Sequence, residues 1–235
     1  MQKAPAETPS PPESKVKPPF TLKVTDNVVF GISLQAKAAK LTDIAAELSR
    51  KLKAQVLLSP VMQKQAVTVN FTDLVLETAM QSLAPVVYID YEIDSAPGAR
   101  PRPVGVYLHA YNEPPPLTNA VVKAKDQAFV ISGNTEPVAP EDEPIHVEFR
   151  NGQVTARAKA QPMLDVISEI AEEAGVPLEA PAESNEEVTV DIKDRPLEQA
   201  ILGVSPNLRV YVRADFYRAT RTVFRIVVVE RDKNP

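Results

Sequence analysis

Two kinds of hydrophobic periodicity follow each other along this chain, and together they predict strands and helices in a fixed order. Residues 20–36 alternate between apolar and polar positions around the turn pair Asp26-Asn27, which predicts a β-hairpin. An apolar stripe with helical spacing follows: Leu41, Ile44, Leu48 and Leu52. The next predicted elements are two short strands, a second helix and two final strands: 56–58, 67–71, 76–83, 86–93 and 104–111.

The same order of elements returns in the second half of the chain. A shift of 122 positions aligns Leu41 with Met163 and Leu48 with Ile170. After one dropped residue, Val67-Thr68-Val69 aligns with Val188-Thr189-Val190. Such agreement in order indicates an internal repeat. We therefore predict an α+β protein of two similar, independently folded small domains. Each is expected to be a mostly antiparallel sheet with two helices packed on one face.

Proline divides the chain, because its 23 prolines against 7 glycines are concentrated between the predicted elements. We predict a disordered Pro-rich tether over 1–19, a first domain over 20–112, a Pro-rich acidic linker over 113–144 and a second domain over 145–232. The run Pro114-Pro115-Pro116 favours a stiff linker that holds the domains apart. Within that linker, the apolar run Ala128 to Ile131 predicts a strand added to either domain.

Three short motifs recur in both repeats and carry a family resemblance. The first repeat contains Leu41-Thr42-Asp43-Ile44, Val67-Thr68-Val69 and Leu76-Glu77-Thr78-Ala79-Met80. The second contains Met163-Leu164-Asp165-Val166, Val188-Thr189-Val190 and Pro196-Leu197-Glu198-Gln199-Ala200-Ile201. In this order the motifs resemble the secretin and TonB N-terminal (STN) domain and the related N-domains of secretins. Two departures stand out: neither a secretin pore domain nor a TonB-dependent barrel follows in this chain, and Lys53 occupies the position of the glycine expected after the first helix.

The resemblance implies a protein-interaction and assembly function in the cell envelope of a Gram-negative bacterium. In secretins such modules stack into rings below the pore, and in TonB-dependent receptors they contact a signalling partner. By this resemblance the chain is expected in the periplasm or at the outer membrane, as a component or lipoprotein partner of a secretin, pilus or secretion machinery. The tether-like start of the chain favours export, with a signal peptide removed and Met1 standing in place of another residue such as a lipidated cysteine. The alternative is a native disordered N-terminus.

The residues give little support to catalysis or to cofactor binding. The chain has no cysteine, and its two histidines, His109 and His146, lie in different repeats. No nucleophile elbow, Gly-rich phosphate loop or metal-binding helix motif occurs. We therefore predict a non-enzyme without metal or cofactor. A net charge of −5 gives no electrostatic reason to bind nucleic acid. No apolar run approaches the roughly 18 residues of a membrane-spanning helix, so membrane contact is expected only through an N-terminal lipid anchor.

Strand alternation predicts an interaction face on the last two strands of each repeat. With Val87, Ile89 and Ile93 towards the core, an aromatic and acidic face results in the first repeat: Tyr88, Asp90, Glu92, Tyr107, His109 and Tyr111. With Leu208, Val210, Val212, Phe224 and Ile226 towards the core, a basic face results in the second repeat: Arg209, Tyr211, Arg213 and Arg225. Because tyrosine and arginine are enriched at interface hot spots, we predict that these faces bind protein, or each other between neighbouring chains.

Two functions remain open on the sequence. The first is the envelope assembly module, which binds protein through sheet edges and faces. The second is a periplasmic ligand-binding or signalling domain, which senses a small molecule or glycan in a concave apolar site between the repeats.

Overall fold

The two repeats fold with the same order of elements: two strands, a helix, two strands, a helix and two strands. The computed structural model describes residues 19–26, 30–96, 98–118, 120, 144–181 and 186–229. The first half contains β1 Phe20–Asp26, β2 Phe30–Lys40, α1 Leu41–Leu52, β3 Gln55–Leu58, β4 Ala66–Val75, α2 Leu76–Gln81, β5 Val86–Asp94 and β6 Arg102–His109. The second half contains β7 Ile145–Arg150, β8 Gln153–Pro162, α3 Met163–Ala174, β9 Leu178–Glu179, β10 Glu187–Pro196, α4 Leu197–Val204, β11 Leu208–Asp215 and β12 Thr220–Val228.

In each half the helices lie between two sheets. Helix α1 contacts β1 and β2 on one side and β3 on the other, and α2 contacts β2, β4 and β5. The stripe residues Leu41, Ile44 and Leu48 are fully buried between these layers. Their counterparts Met163, Val166 and Ile170 are buried equally in α3. The predicted α+β class with mostly antiparallel strands is therefore confirmed, with the addition that the sheet of each half is divided in two.

The described strands form three sheets. Two of them are three-stranded, in the orders β1-β2-β4 and β10-β8-β7. The third is six-stranded, in the order β3-β6-β5-β11-β12-β9, and contains strands of both halves. Its central pair, β5 and β11, is antiparallel. The expectation that the proline-rich linker holds the halves apart is therefore wrong, because the halves share a sheet and one contiguous cluster of buried apolar residues.

Backbone details recur at equivalent positions of the two halves. Ala38 and Ala160 both take a left-handed conformation at a bulge, where their N–H groups donate to Thr68 Oγ1 and Thr189 Oγ1. Lys53 takes the left-handed conformation after α1 that Gly175 takes after α3. The two helices therefore end in the same geometry although the residue types differ.

Asp73 and Asp194 precede the second helix of each half but do not cap it. Both residues lie inside the preceding strand with positive φ, and α2 has Val75 at its N-cap without a side-chain cap. The Asp73 N–H donates to Ser33 Oγ across the sheet. A Cβ added at Gly31 would lie 2.2 Å from Asp73 Oδ1 and 2.6 Å from Thr25 Oγ1, so a side chain at position 31 would displace these two side chains.

Parts of the predicted organisation fall outside the described residues. They include nearly all of the predicted tether and the apolar run Ala128 to Ile131 of the predicted linker. The domain boundaries themselves stay a prediction. Among the residues that the structure describes, no helix is long and apolar enough to cross a membrane.

Candidate functional site

The predicted acidic and basic faces meet each other along the centre of the six-stranded sheet. In the β5–β11 register, Asp94 lies opposite Arg209, Glu92 opposite Tyr211, and Asp90 opposite Arg213. The core-directed residues of both strands, such as Ile89 and Val210, are buried on the helix side. The polar side chains therefore share the opposite surface, which we call the joint face: Tyr88, Asp90, Glu92, Asp94, Tyr107, Arg209, Tyr211 and Arg213.

Asp90 and Arg213 form the centre of the joint face. Arg213 Nε donates to Asp90 Oδ1 at 2.7 Å, and Nη2 donates to Oδ2 at 2.8 Å, which is the bidentate geometry of a strong charge-assisted pair. The Tyr107 hydroxyl donates to Asp90 Oδ2 at 2.8 Å. Asp90 is 0% exposed and the Arg213 side chain is 12% exposed. The two halves are thus linked by a buried ion pair whose lone pairs and protons are largely satisfied.

Arg213 also holds the chain that leaves the first half. Its Nη1 donates to the Pro116 carbonyl at 2.6 Å, and its Nη2 donates to the Leu117 carbonyl at 3.1 Å. The guanidinium carbon lies 4.8 Å from the centroid of the Tyr107 ring. A single side chain of the second half therefore contacts β5, β6 and the segment that follows β6.

The electrostatics of the joint face favour charged Arg213 and a neutral tyrosine beside it. Burial alone would lower the pKa of Arg213, but the hydrogen bonds and charge of Asp90 outweigh it and the pKa is raised. Burial, together with the Asp90 charge, raises the pKa of Tyr107. Both shifts favour one protonation state at neutral pH, with Arg213 charged and Tyr107 neutral.

A second cluster lies towards the end of β5. Arg209 Nη2 lies 3.3 Å from Asp94 Oδ2, and its Nε lies 3.4 Å from Glu92 Oε1. The Tyr211 hydroxyl donates to Glu92 at 2.8 Å. Arg102 of β6 approaches the same carboxylate at 3.0 Å from the solvent side. Glu92 thus joins β6 to β11 across its own strand.

Arg225 extends the polar face towards the outer strand of the second half. Its guanidinium forms an ion pair with Glu179 of β9 and lies 5.2 Å from the centroid of the Tyr211 ring. Phe224 was expected to face the core, and that prediction is wrong. A bulge between Tyr211 and Val212 shifts the register with β12, and Phe224 packs 6.2 Å from the Tyr211 ring.

The remaining residues of the first face lie at the end of β6. His109 packs edge-to-face on Tyr88 at 5.6 Å, and burial lowers its pKa. Glu113 follows in the next turn, where its carboxylate accepts the Ala110 N–H at 2.7 Å. The Ser59 hydroxyl also donates to Glu113 and lowers the pKa of that carboxyl. These contacts fix the chain as it leaves the sheet.

The structure pairs the two predicted faces within one chain, and their pairing between neighbouring chains stays a prediction. Within this arrangement Asp90, Tyr88 and Tyr107 are buried. The sequence identified nine residues that the structure brings together along this surface: Tyr88, Asp90, Glu92, Tyr107, His109, Arg209, Tyr211, Arg213 and Arg225. The tenth predicted residue, Tyr111, lies outside this surface.

Tyr111 is exposed and pairs with a tyrosine that the sequence reasoning missed. Its ring lies 6.0 Å from the ring of Tyr217, in an edge-to-face contact. The two side chains are 61% and 60% exposed. Tyr111 follows β6 of the first half, whereas Tyr217 lies in the turn between β11 and β12 of the second. The sequence predicts a turn that begins at Asp215, but it does not show that this turn lies beside Tyr111. That contact depends on the pairing of β5 with β11.

Two long strands offer a different kind of surface. Among the described strands, β4 pairs with β2 alone and β10 pairs with β8 alone. Both are ten residues long. Their outer edges have the geometry to which an additional strand can pair.

The described residues contain no cluster of three or more histidine, aspartate or glutamate side chains suited to a metal ion. An open groove lies between β1 and α1, where Phe20, Leu22 and Ala46 meet the Glu47–Arg50 ion pair. This groove belongs to the first half alone.

Comparisons with family models, with curated proteins and with solved structures found no match.

Proposed function

We propose that this chain is a non-enzymatic protein-interaction and assembly module of the Gram-negative cell envelope. Its proposed place is in the periplasm or at the outer membrane, as a component or lipoprotein partner of a secretin, pilus or secretion machinery. The STN-like motifs of both repeats support the class of machinery. The proposed binding surface is the exposed aromatic pair Tyr111 and Tyr217.

The aromatic pair is the observation that carries the proposal. Two tyrosines in mutual contact, each more than half exposed, offer apolar area and hydroxyl groups at low cost in side-chain entropy. One tyrosine comes from each half, so the pair exists only while the halves are joined. A partner that binds there would recognise the assembled protein and not a separate repeat.

The ligand-binding alternative needs an apolar concavity between the two halves. At that place β5 and β11 are adjacent strands, and the joint face above them is filled by the Asp90–Arg213 pair and Tyr107. The groove at β1 and α1 lies away from this joint. These observations favour the protein-interaction proposal.

Site-specific photo-crosslinking in the cell that produces the protein tests this proposal. The photoreactive residue p-benzoylphenylalanine is placed at Tyr111, and in a matched control at the exposed Arg50 of α1. We expect a discrete cross-linked product at position 111 that mass spectrometry identifies as an envelope assembly protein. The Arg50 control is expected to lack it.

The second variant, Tyr217→Ala in the chain that carries the crosslinker at 111, should remove this product because the aromatic pair is broken. Equal cross-linking at both positions, or a product unaffected by Tyr217→Ala, would contradict the proposed surface. A cross-link to a glycan or small molecule instead of a protein would favour the ligand-binding function.

A further inference from the structure

The pairing of β5 with β11, which we call the joint, has a local two-fold symmetry of the backbone. The charged side chains of the two strands do not have this symmetry. Tyr91 pairs with Val212, which is the equivalent residue of the second repeat, 121 positions later. A two-fold axis therefore relates the backbones of the two strands at this pair. About it, the pair Asp94–Arg209 is equivalent to the pair Asp215–Tyr88. The backbone would thus allow either strand to pair with a copy of itself in the same register.

Pairing of β5 with another β5 would bring like charges together. Around the same axis, Asp90 of one chain would lie opposite Glu92 of the other, twice in each pair. Asp90, which is 0% exposed here, would also lose its arginine. A buried carboxylate opposite another carboxylate is strongly unfavourable.

Pairing of β11 with another β11 fails for the complementary reason. Arg213 would lie opposite Tyr211 and would lose both hydrogen bonds to Asp90. Its side chain is 12% exposed, so the guanidinium would be left largely buried without a carboxylate. Only the pairing of β5 with β11 brings opposite charges together at both Asp90–Arg213 and Asp94–Arg209.

We infer that the charges at the joint allow β5 to pair with β11 and prevent either strand from pairing with a copy of itself. The second half of another copy of this chain can therefore take the place of the chain's own second half. In that complex, β5 of each chain pairs with β11 of the other. The reciprocal dimer satisfies both joints with two copies, whereas an open head-to-tail row leaves an unpaired strand at each end. The chain between Leu117 and Ile145 is long enough for such an exchange, because 27 residues can span up to about 90 Å.

The native chain favours the internal joint, because its own second half is present at high effective concentration. Charge exchange between two variant chains removes this advantage. The Asp90→Arg chain places two arginines at its own joint, and the Arg213→Asp chain places two carboxylates there. When the two variants are mixed, opposite charges meet only if β5 of each chain pairs with β11 of the other.

Native mass spectrometry of the two full-length variants, produced together and separately, tests the inference. We expect co-production to give a heterodimer of twice the 25.7 kDa chain mass, at least about tenfold more abundant than dimers of either variant alone. The chain carrying both Asp90→Arg and Arg213→Asp has opposite charges at its own joint. It is expected to be monomeric, which makes it the matched control.

A second pair of variants tests the inference if the chains substituted at Asp90 or Arg213 do not fold when produced alone. Asp94→Arg and Arg209→Asp exchange charge at the more exposed end of the joint, where the side chains are 26% and 29% exposed. The same heterodimer is expected on co-production. If neither pair gives a heterodimer above the level of the single variants, or if a single variant dimerises as readily as the mixture, charge does not select the pairing and the inference is wrong.

Discussion

Replacing Arg213 by methionine is expected to lower the free energy of unfolding by about 3–5 kcal/mol. The substitution keeps much of the apolar volume but leaves the carboxylate of Asp90, which is 0% exposed, without its cation. A buried charge that loses its partner bears the full cost of its desolvation. The Pro116 and Leu117 carbonyls also lose their donor. Urea unfolding followed by circular dichroism measures the change.

The matched double variant separates charge from packing. If Asp90→Leu is added to Arg213→Met, no unpaired charge is left, and most of the lost stability should return. A residual cost of about 1 kcal/mol is expected because the Tyr107 hydroxyl no longer has its acceptor. Arg221→Met removes the more exposed ion pair with Glu198 and should cost at most about 1 kcal/mol. A double variant as unstable as Arg213→Met would show that packing, and not the ion pair, determines the cost.

Alanine at Leu48 or at Ile170 is expected to cost about 2–5 kcal/mol in unfolding free energy. Both residues are fully buried and occupy equivalent positions on α1 and α3. Each substitution removes three side-chain carbon atoms from a layer between two sheets, which leaves a cavity. Leu57→Ala is the control, because Leu57 lies on β3 and is partly exposed, so a much smaller cost is expected.

The shared sheet gives these two variants a second expected property. Because the buried residues of both halves form one cluster, either substitution should lower the unfolding midpoint of both halves together. Hydrogen exchange followed by mass spectrometry resolves β2 from β8 and measures each half separately. Unfolding of the substituted half alone, with the other half unchanged, would contradict the cooperative connection through β5 and β11.

Much of the local structure was predictable because periodicity reports which side of an element faces the core. The stripe from Leu41 to Leu52 identified the buried side of α1, and alternation placed Asp90 and Arg213 away from the core. The repeat predicted the second half from the first. Phe224 was assigned to the wrong side because a bulge shifts the alternation by one residue, and no feature of the local sequence marks that bulge.

The neighbour of β5 could not be predicted in the same way. Alternation gives the face of a side chain, but it does not identify the strand across the sheet, and Asp90 and Arg213 are far apart in sequence. The opposite charges of the two faces were visible and correctly suggested that they attract. Whether they meet in one chain or between chains depends on the path of the segment after β6. Its prolines were taken as a spacer, whereas the Pro116 and Leu117 carbonyls are bound by Arg213.

The central claim is that β5 and β11 of one chain are adjacent strands in the observed register, and an engineered disulfide tests it most directly. Ser95 N–H donates to the Leu208 carbonyl at 3.0 Å, so the next pair, Asp94 and Arg209, is a non-hydrogen-bonded pair with closely spaced Cα atoms. That spacing suits a disulfide. The chain has no cysteine of its own, so Asp94→Cys with Arg209→Cys introduces a single possible bond.

The measurement is the number of free thiols and the intact mass of the full-length double variant after mild oxidation. We expect a monomer without free thiols, whereas the control pair Asp94→Cys with Thr222→Cys, which lie two strands apart and out of register, should keep both thiols. Two free thiols in the Asp94→Cys and Arg209→Cys variant, or disulfides that form only between chains, would contradict the claim that the halves are joined within one chain.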